Sequence, residues 1–588
     1  MNYKLNKADQ AKEREKGVLG TAWRRLVPLM IEEKLTVTIA LVAIALSSAA
    51  SLIAPALIAR AIDGPITHGD WGGVMRYAGL LLAVYLAGTA ASYVQIRFMG
   101  GMGRRVLFRL RNAIFTKLQE LPVEFFYLNK AGDLISRINN DTDKLNQFFA
   151  QALMQFVGNS ALIAGTGVCL LYINPRLGAA ALVPAAIVLI LTQLLSPWVK
   201  RVSLRSLQKL GALSGEIQES LNNFKVIVIF NRLDYFREKF TEANEANYQA
   251  SVRAGVASNT FMPIYTLAST VAQFTVLIYG LYLTSIGEFS VGFLVGFLLY
   301  VNNFYNPLRQ LASVWSSLQF ALAGLDRISE VLALQSNMQV ISSEKRGNVD
   351  AVVQFDQVNF RYDESGDILN DVSFALERGK TYALVGPTGG GKTTTASLMA
   401  RLYDPTEGTV YLDGRDIRSV EPAVLARKIG FILQEPILFT GTVKENILYG
   451  NTEYVNATNE EALELLERAN LTKLLTRFNE GLDTKVATSG EAISLGQKQL
   501  IAFMRAVLRN PEILIFDEAT ANIDTVTEQL LEEILHKLPK TTTRVIIAHR
   551  LNTISEADEI FFVNGGHITV AGDMQHAVDM LLHETRQS

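Results

Sequence analysis

The segment Gly386-Pro387-Thr388-Gly389-Gly390-Gly391-Lys392-Thr393 places four glycines, a lysine and a terminal hydroxyl in eight consecutive positions. This is the spacing G-x-x-x-x-G-K-[ST], and its chemistry is phosphate binding. Glycines let a loop curl so that successive backbone N–H groups point at phosphate oxygens. The context is also right. Thr381–Val385 reads as a buried strand running into the loop, and Thr394–Leu402 reads as a helix leaving it. The helix N-terminus adds its dipole to the anion site. Lys392 supplies a cation for the outer phosphates, and Thr393 supplies a hydroxyl for a Mg²⁺ ion.

Two more candidates lie further along the chain. The apolar run Ile513–Phe516 ends in Asp517-Glu518. A strand-end aspartate near a phosphate loop suits a Mg²⁺ shell, and the adjacent Glu518 points differently and can polarise an attacking water. The apolar run Val545–Ala548 ends at His549. The C-terminal edge of an open parallel sheet faces the ligand crevice. Taken alone, this histidine and the Asp-Glu pair are also compatible with ordinary surface roles.

The elements that must hold these residues divide the chain in two. It has 588 residues, 49% hydrophobic and 19% charged, with a formal net charge of −2. Soluble chains carry about 25% charged residues. The deficit is concentrated in residues 35–315, and 350–588 reads as an ordinary soluble domain. A near-neutral chain lacks the basic surface that a nucleic-acid partner favours. The single cysteine, Cys169, lies in an apolar run and forms no intrachain disulfide. No cleavable leader is expected in the polar first 34 residues.

A membrane span needs about 20 mostly apolar residues. Six segments qualify: Leu35–Ile58, Tyr77–Met99, Leu153–Ile173, Leu177–Pro197, Phe261–Thr284 and Val291–Ala312. Lys and Arg crowd the segment before the first span and the loops after the second and fourth. They are absent from Asp63–Gly73 and Ser285–Ser290. This bias puts both termini on the cytoplasmic side. Residues 100–150 and 198–255 keep a helical period while turning polar, so the membrane helices are expected to continue into the cytoplasm. Leu121–Phe126 begins one turn region. Phe224–Asn231 is an apolar patch in the second, either a docking surface or a packed face. The stretch around Trp23 is expected to lie along the inner interface. Residues 336–350 are polar and aperiodic, and alternation at Val353, Phe355, Val358 and Phe360 then signals antiparallel strands.

Together these motifs resemble the ABC transporter superfamily in its exporter-type arrangement, membrane domain before ATPase domain. The resemblance covers essentially the whole chain after the N-terminal tail. It implies an all-α six-helix transmembrane domain, then an α/β P-loop ATPase domain with an antiparallel β subdomain and a helical subdomain. The corresponding divisions are 1–34 (tail), 35–335 (membrane domain), 336–350 (linker) and 351–588 (ATPase domain). It also implies roles. Tyr362 matches the aromatic that stacks on adenine. Gly386, Pro387, Thr388, Gly389, Gly390, Gly391, Lys392, Thr393 and Thr394 cradle the phosphates of ATP. Thr393, Gln434 and Asp517 hold Mg²⁺. Glu518 is the catalytic glutamate, His549 the switch histidine, and Asp524 lies in the loop communicating across the dimer. Gly132–Arg137 with Asn140-Asp141 looks like the first cytoplasmic coupling region.

Two segments depart from the pattern. The family signature Leu-Ser-Gly-Gly-Gln reads Ile493-Ser494-Leu495-Gly496-Gln497 here, and Val486–Gly490 lacks the family's preceding glutamate. In the family, Ser494, Gly496 and Gln497 would meet the γ-phosphate held by a second ATPase domain. Leu495 adds a side chain where that phosphate should sit. The resulting expectation is half of an ATP-driven transporter, an exporter in the inner membrane of a bacterium, paired with a different half-transporter whose signature is intact. Its cargo would be hydrophobic or amphipathic, such as drugs or lipids, because the spans carry amides and aromatics rather than charges. A homodimeric lipid or peptide exporter, an ATP-gated channel and a soluble ATPase acting on nucleic acid stay open as rivals.

Overall fold

The structure is a computed structural model. It describes residues 3–5, 33–362, 366–487, 493–517, 531, 533–547, 557–572, 575–576 and 580. The chain forms two compact units. One comprises 5–119 and 131–333, the other 1–4, 120–130 and 334–588.

The first unit is helical. It contains α1 (Lys34–Ala61) and α2 (Trp71–Glu120). Next in the chain comes α3 (Val123–Leu128), which belongs to the second unit. Then come α4 (Ala131–Ser136), α5 (Thr142–Gln147), α6 (Leu153–Ile173), α7 (Pro175–Asn222), α8 (Phe224–Ile229), α9 (Leu233–Asn259), α10 (Phe261–Ser285) and α11 (Val291–Leu332). Five helical runs among the described residues are long and apolar enough to cross a membrane. The segment expected as a sixth span lies within the 42-residue α11. The helices run on well past the length of a span: α2 has 50 residues and α7 48. Asn174 caps α7 by accepting the Leu177 N–H at 3.0 Å, with Pro175 at the first helical position. Ser290 caps α11 in the same way. Both choices satisfy orphan donors at a helix start.

Helix α11 is the hub of this unit. Near its start, Gly292 and Gly296 let it approach α1 closely. A Cβ on Gly292 would meet the Ala59 carbonyl oxygen at 2.3 Å, the small-residue packing that membrane helices favour. Further along, Tyr300 donates to the Leu52 carbonyl at 2.6 Å and Asn303 to that of Ser51 at 3.1 Å. Tyr305 reaches the Ala181 carbonyl on α7 at 2.8 Å. Asn159 bonds Gln310 at 3.2 Å, and Gln273 bonds Asn302 at 2.9 Å. Five amides of the expected spans, Asn159, Gln273, Asn302, Asn303 and Gln310, therefore join helices.

At its far end α11 enters an ion network. Arg137, 1% exposed, donates to Asp133 at 2.9 Å, Glu330 at 2.7 Å and the Arg327 carbonyl at 2.7 Å. Arg327 bonds Asp133 at 2.5 Å and lies 3.2 Å from the buried Asp141, close enough for attraction without hydrogen-bond alignment. Lys144 completes it by donating to Asp141 at 2.7 Å. The motif Gly132–Asp141, expected as the coupling region, is thus clamped inside the helical unit. The preceding turn, α3, belongs to the second unit.

The second unit has two main sheets. The strands are β1 (Ala351–Phe360), β2 (Leu369–Glu377), β3 (Thr381–Val385), β4 (Glu407–Leu412), β5 (Arg415–Asp416), β6 (Ile429–Ile432), β7 (Gly441–Thr442), β8 (Lys485–Val486), β9 (Ile513–Asp517), β10 (Thr543–Ile547), β11 (Glu559–Asn564) and β12 (His567–Val570). An antiparallel sheet has the order β2-β1-β4-β5. The core sheet has the order β12-β11-β3-β10-β9-β6. In it β11, β3, β10, β9 and β6 are mutually parallel, with β12 as an antiparallel edge. Full burial of β9 and near-full burial of β3 explains their unbroken apolar runs. The helices here are α12 (Lys392–Met399), α13 (Pro422–Lys428), α14 (Val443–Ile447), α15 (Asn459–Arg468) and α16 (Leu495–Val507). Helices α14, α15 and α16 share one apolar core that includes Ile447, Leu466 and Met504.

Candidate functional site

Parallel strands deliver their C-terminal ends to one edge of the core sheet, and the candidate residues collect there. Strand β3 runs into the loop 386–391, and α12 leaves it at Lys392. Gly386, Gly389 and Gly391 have φ of +144°, +85° and +112°, a region that costs L side chains energy and glycine almost none. Gly386 also passes so close to β11 that a Cβ would meet the Val563 carbonyl at 2.0 Å. The loop can take this path only with glycine. Lys392, 6% exposed, curls over it and donates to the carbonyls of Gly386 at 2.8 Å and Pro387 at 2.9 Å.

Asp517 ends β9, which is separated from β3 by β10. It is 4% exposed. The Thr393 hydroxyl donates to its Oδ1 at 3.3 Å. A hydroxyl and a carboxylate side by side at a phosphate loop form an all-oxygen donor set, which fits Mg²⁺. Gln434 is exposed just beyond β6, whose Ile432 pairs with Phe516 of β9. Thr393, Asp517 and Gln434 therefore belong to one edge. Glu518 follows Asp517 directly in sequence. Glu518, Asp524 and His549 lie outside the described residues.

Tyr362 sits on the other side of the loop. Its hydroxyl shares a hydrogen bond of 3.1 Å with that of Thr394. Its ring meets Tyr403 edge-on at 5.1 Å and Phe360 at 4.8 Å. Two edge-on neighbours fix the ring plane while 40% of the residue stays exposed. Burial pushes the phenols of Tyr362 and Tyr403 up, so both remain neutral hydroxyls at physiological pH. Tyr403 carried no signal in the sequence, because nothing in its spacing ties it to Tyr362.

The signature segment starts α16. Ser494 is its N-cap: its hydroxyl accepts the Gln497 N–H at 3.2 Å, and the Gln497 side chain accepts the Ser494 N–H at 2.9 Å. This reciprocal pair is a capping box. Gln497 also donates to the Arg477 carbonyl at 2.6 Å. Leu495 is the first helical residue and 43% exposed.

The comparisons with known proteins agree with this geometry. Residues 37–308 match the family model of the ABC transporter transmembrane region, and residues 369–521 match the ABC transporter model. The chain is a member of the ABC transporter family. A Bacillus subtilis relative, the uncharacterized ABC transporter ATP-binding protein YfiC, is 33% identical over 97% of this chain and 94% of its own. A fatty acid ABC transporter ATP-binding/permease protein of Mycobacterium tuberculosis is 32% identical over 86% of this chain and 79% of its own. A multidrug resistance ABC transporter ATP-binding and permease protein of Lactococcus lactis is 32% identical over 86% and 85%. This ABC transporter thus joins membrane and ATP-binding domains in one chain, as exporter-type half-transporters do. It is an integral membrane protein that couples ATP hydrolysis to transport.

Proposed function

We propose that this chain is the hydrolytic half of an unequal pair of half-transporters exporting hydrophobic or amphipathic cargo. The observation that carries the reading is Leu495, exposed at the start of a well-capped α16 in a chain whose own phosphate loop is intact. In the paired arrangement that helix start faces the γ-phosphate bound by the second ATPase domain. The cap formed by Ser494 and Gln497 is retained, and Gly496 keeps its place, so the defect is local to one side chain. Losing a hydrogen bond to a charged group costs about 1.5–3 kcal/mol, roughly ten- to hundredfold in affinity. A homodimer would carry this cost at both sites, a heterodimer at one.

At the other site this chain supplies the working residues. The adenine stacks on Tyr362. The backbone of 386–391 with Thr394 holds the phosphates, and Lys392 swings from its loop carbonyls to the outer phosphates. Thr393, Asp517 and Gln434 hold Mg²⁺, which when bound neutralises charge developing on the phosphoryl group. Glu518 orients the attacking water, His549 contacts the γ-phosphate, and Asp524 communicates across the dimer. Catalysis is then mostly positioning and electrostatics.

Two surfaces support the rest of the reading. On α8 and just after it Phe224, Val226, Val228, Ile229 and Phe230 are exposed, and only Ile227 is buried. A run this apolar suits docking on the partner's ATPase domain, with α8 as the second coupling helix. In the membrane unit a cavity of about 820 Å³ is lined by Arg60, Asp63, Tyr172, Phe289, Phe297 and Tyr300. Aromatic walls with a few charges suit amphipathic cargo. The membrane domain crosses six times, with both termini cytoplasmic.

The test is ATP-dependent uptake into inside-out vesicles holding the chain with a co-purified partner, across drugs, lipids and peptides. Uptake is expected with the parent and lost in Glu518→Gln, which still binds ATP. Robust ATPase activity and uptake from the chain alone would replace the unequal pair with a homodimer.

A further inference from the structure

Three stretches far apart in sequence meet beside Tyr362. Tyr3 is completely buried. Its hydroxyl accepts the Asn337 backbone N–H at 2.7 Å and donates to the Gln335 carbonyl at 3.0 Å. Its own carbonyl accepts from the Asn129 side-chain amide at 2.9 Å. That amide also donates to the Phe125 carbonyl at 2.8 Å, inside α3. Tyr3 therefore joins the α3 turn to the segment that follows α11. Glu124, on α3, lies beside Asn337 in the wall of one cavity. Tyr3 borders the same cavity, of about 1250 Å³, whose lining also includes Lys4, Leu128, Tyr362 and Tyr403.

The arrangement has a physical logic. A tyrosine with its ring enclosed and both hydrogen-bonding roles used is a fixed point. Helix α3 is only six residues long. So short a helix is marginal by itself and depends on what it packs against. The exposed face of Tyr362, where the proposed nucleotide base stacks, opens into the same cavity.

We propose that Tyr3 is a positioning residue for the nucleotide cycle. It fastens α3 to residues 335–337, so that a base bound against Tyr362 orders the α3 turn. Since α3 begins only two residues after α2, ordering that turn constrains the end of α2. The proposal rests on the nucleotide reading of Tyr362.

Hydrogen exchange of the full-length complex with and without ATP tests it, using the parent, Tyr3→Phe and Tyr3→Ala. Tyr3→Phe keeps the ring and loses both hydroxyl bonds. ATP is expected to protect the loop 386–393 in all three proteins. It should protect 122–130 strongly in the parent, weakly in Tyr3→Phe and not in Tyr3→Ala. The KM for ATP should rise about three- to tenfold in Tyr3→Phe with kcat within about twofold of the parent. If 386–393 is unprotected in the parent, the nucleotide reading falls. If that loop is protected but 122–130 responds equally in the parent and Tyr3→Phe, with KM unchanged, the positioning role of Tyr3 is overturned. Should Tyr3→Ala fail to fold, Tyr3→Phe still decides between the two outcomes.

Discussion

The first N–H groups of α16 have no intrahelical acceptor, and Ser494 takes up one of them. In the proposed pairing the remaining N–H groups meet the phosphate held by the partner, and the approach is narrowed by Leu495, a side chain 43% exposed. Replacing it with glycine opens that approach without touching the cap. Leu495→Gly in the chain purified alone should therefore raise ATPase activity about tenfold or more. A steady-state phosphate-release assay reads the change, and an unchanged rate would show that Leu495 is not the impairment. At this scale the sequence was most readable where function fixes spacing. The loop 386–393 demands glycine at set positions because β11 passes 2.0 Å from where a Cβ would stand on Gly386. Tyr3 and Tyr403 were unreadable for the opposite reason. Their roles come from partners hundreds of positions away or across a loop, and along a chain one tyrosine looks like another.

Hydropathy located the apolar helices well, because a long apolar run constrains every residue in it. The expected Leu35–Ile58 became Lys34–Ala61 and the expected Leu153–Ile173 was met residue for residue. Joints within helices left no such trace. The run from Ala131 to Ile173 contains π turns at Arg137–Asp141 and Phe148–Ala152. Each widens the helix locally and re-aims the next helical segment, and such turns gather at functional positions. They depend on tertiary partners, in the first case Arg327 and Glu330 on α11. The Arg137 fork is the centre of that joint. Removing one member of a buried charge network strands the others. Arg137→Met should lower stability by roughly 3 kcal/mol, near the low end for buried pairs because Asp133 keeps partial contact with water. Thermal unfolding in detergent would show a lowered midpoint. Arg137→Lys should recover only part of it, since an ammonium cannot reproduce the planar fork. A parent-like midpoint in Arg137→Met would mean that the network contributes little.

At the scale of the molecule, membership in the ABC transporter family rests on two matched regions that account for both halves of the chain. The proposed six-span topology with cytoplasmic termini makes its own prediction. In a Cys169→Ser background, a cysteine at His68 should react with a membrane-impermeant maleimide added to intact cells. One at Gln208 should react only after the membrane is opened. Reversed labelling would invert the orientation. The long helices then acquire a mechanical meaning. Helix α2 has 50 residues, about 75 Å at 1.5 Å per residue, and a bilayer core takes up only about 30 Å of it. Beyond the expected span end at Met99, the rest of α2 to Glu120 is a lever arm of about 31 Å. Tilting such a rod by about 5° sweeps its far end through about 3 Å, roughly half a helical turn. Large displacements at one end therefore require only slight rotations at the other, and the bilayer-spanning part can change its opening while its packing of small residues stays nearly intact.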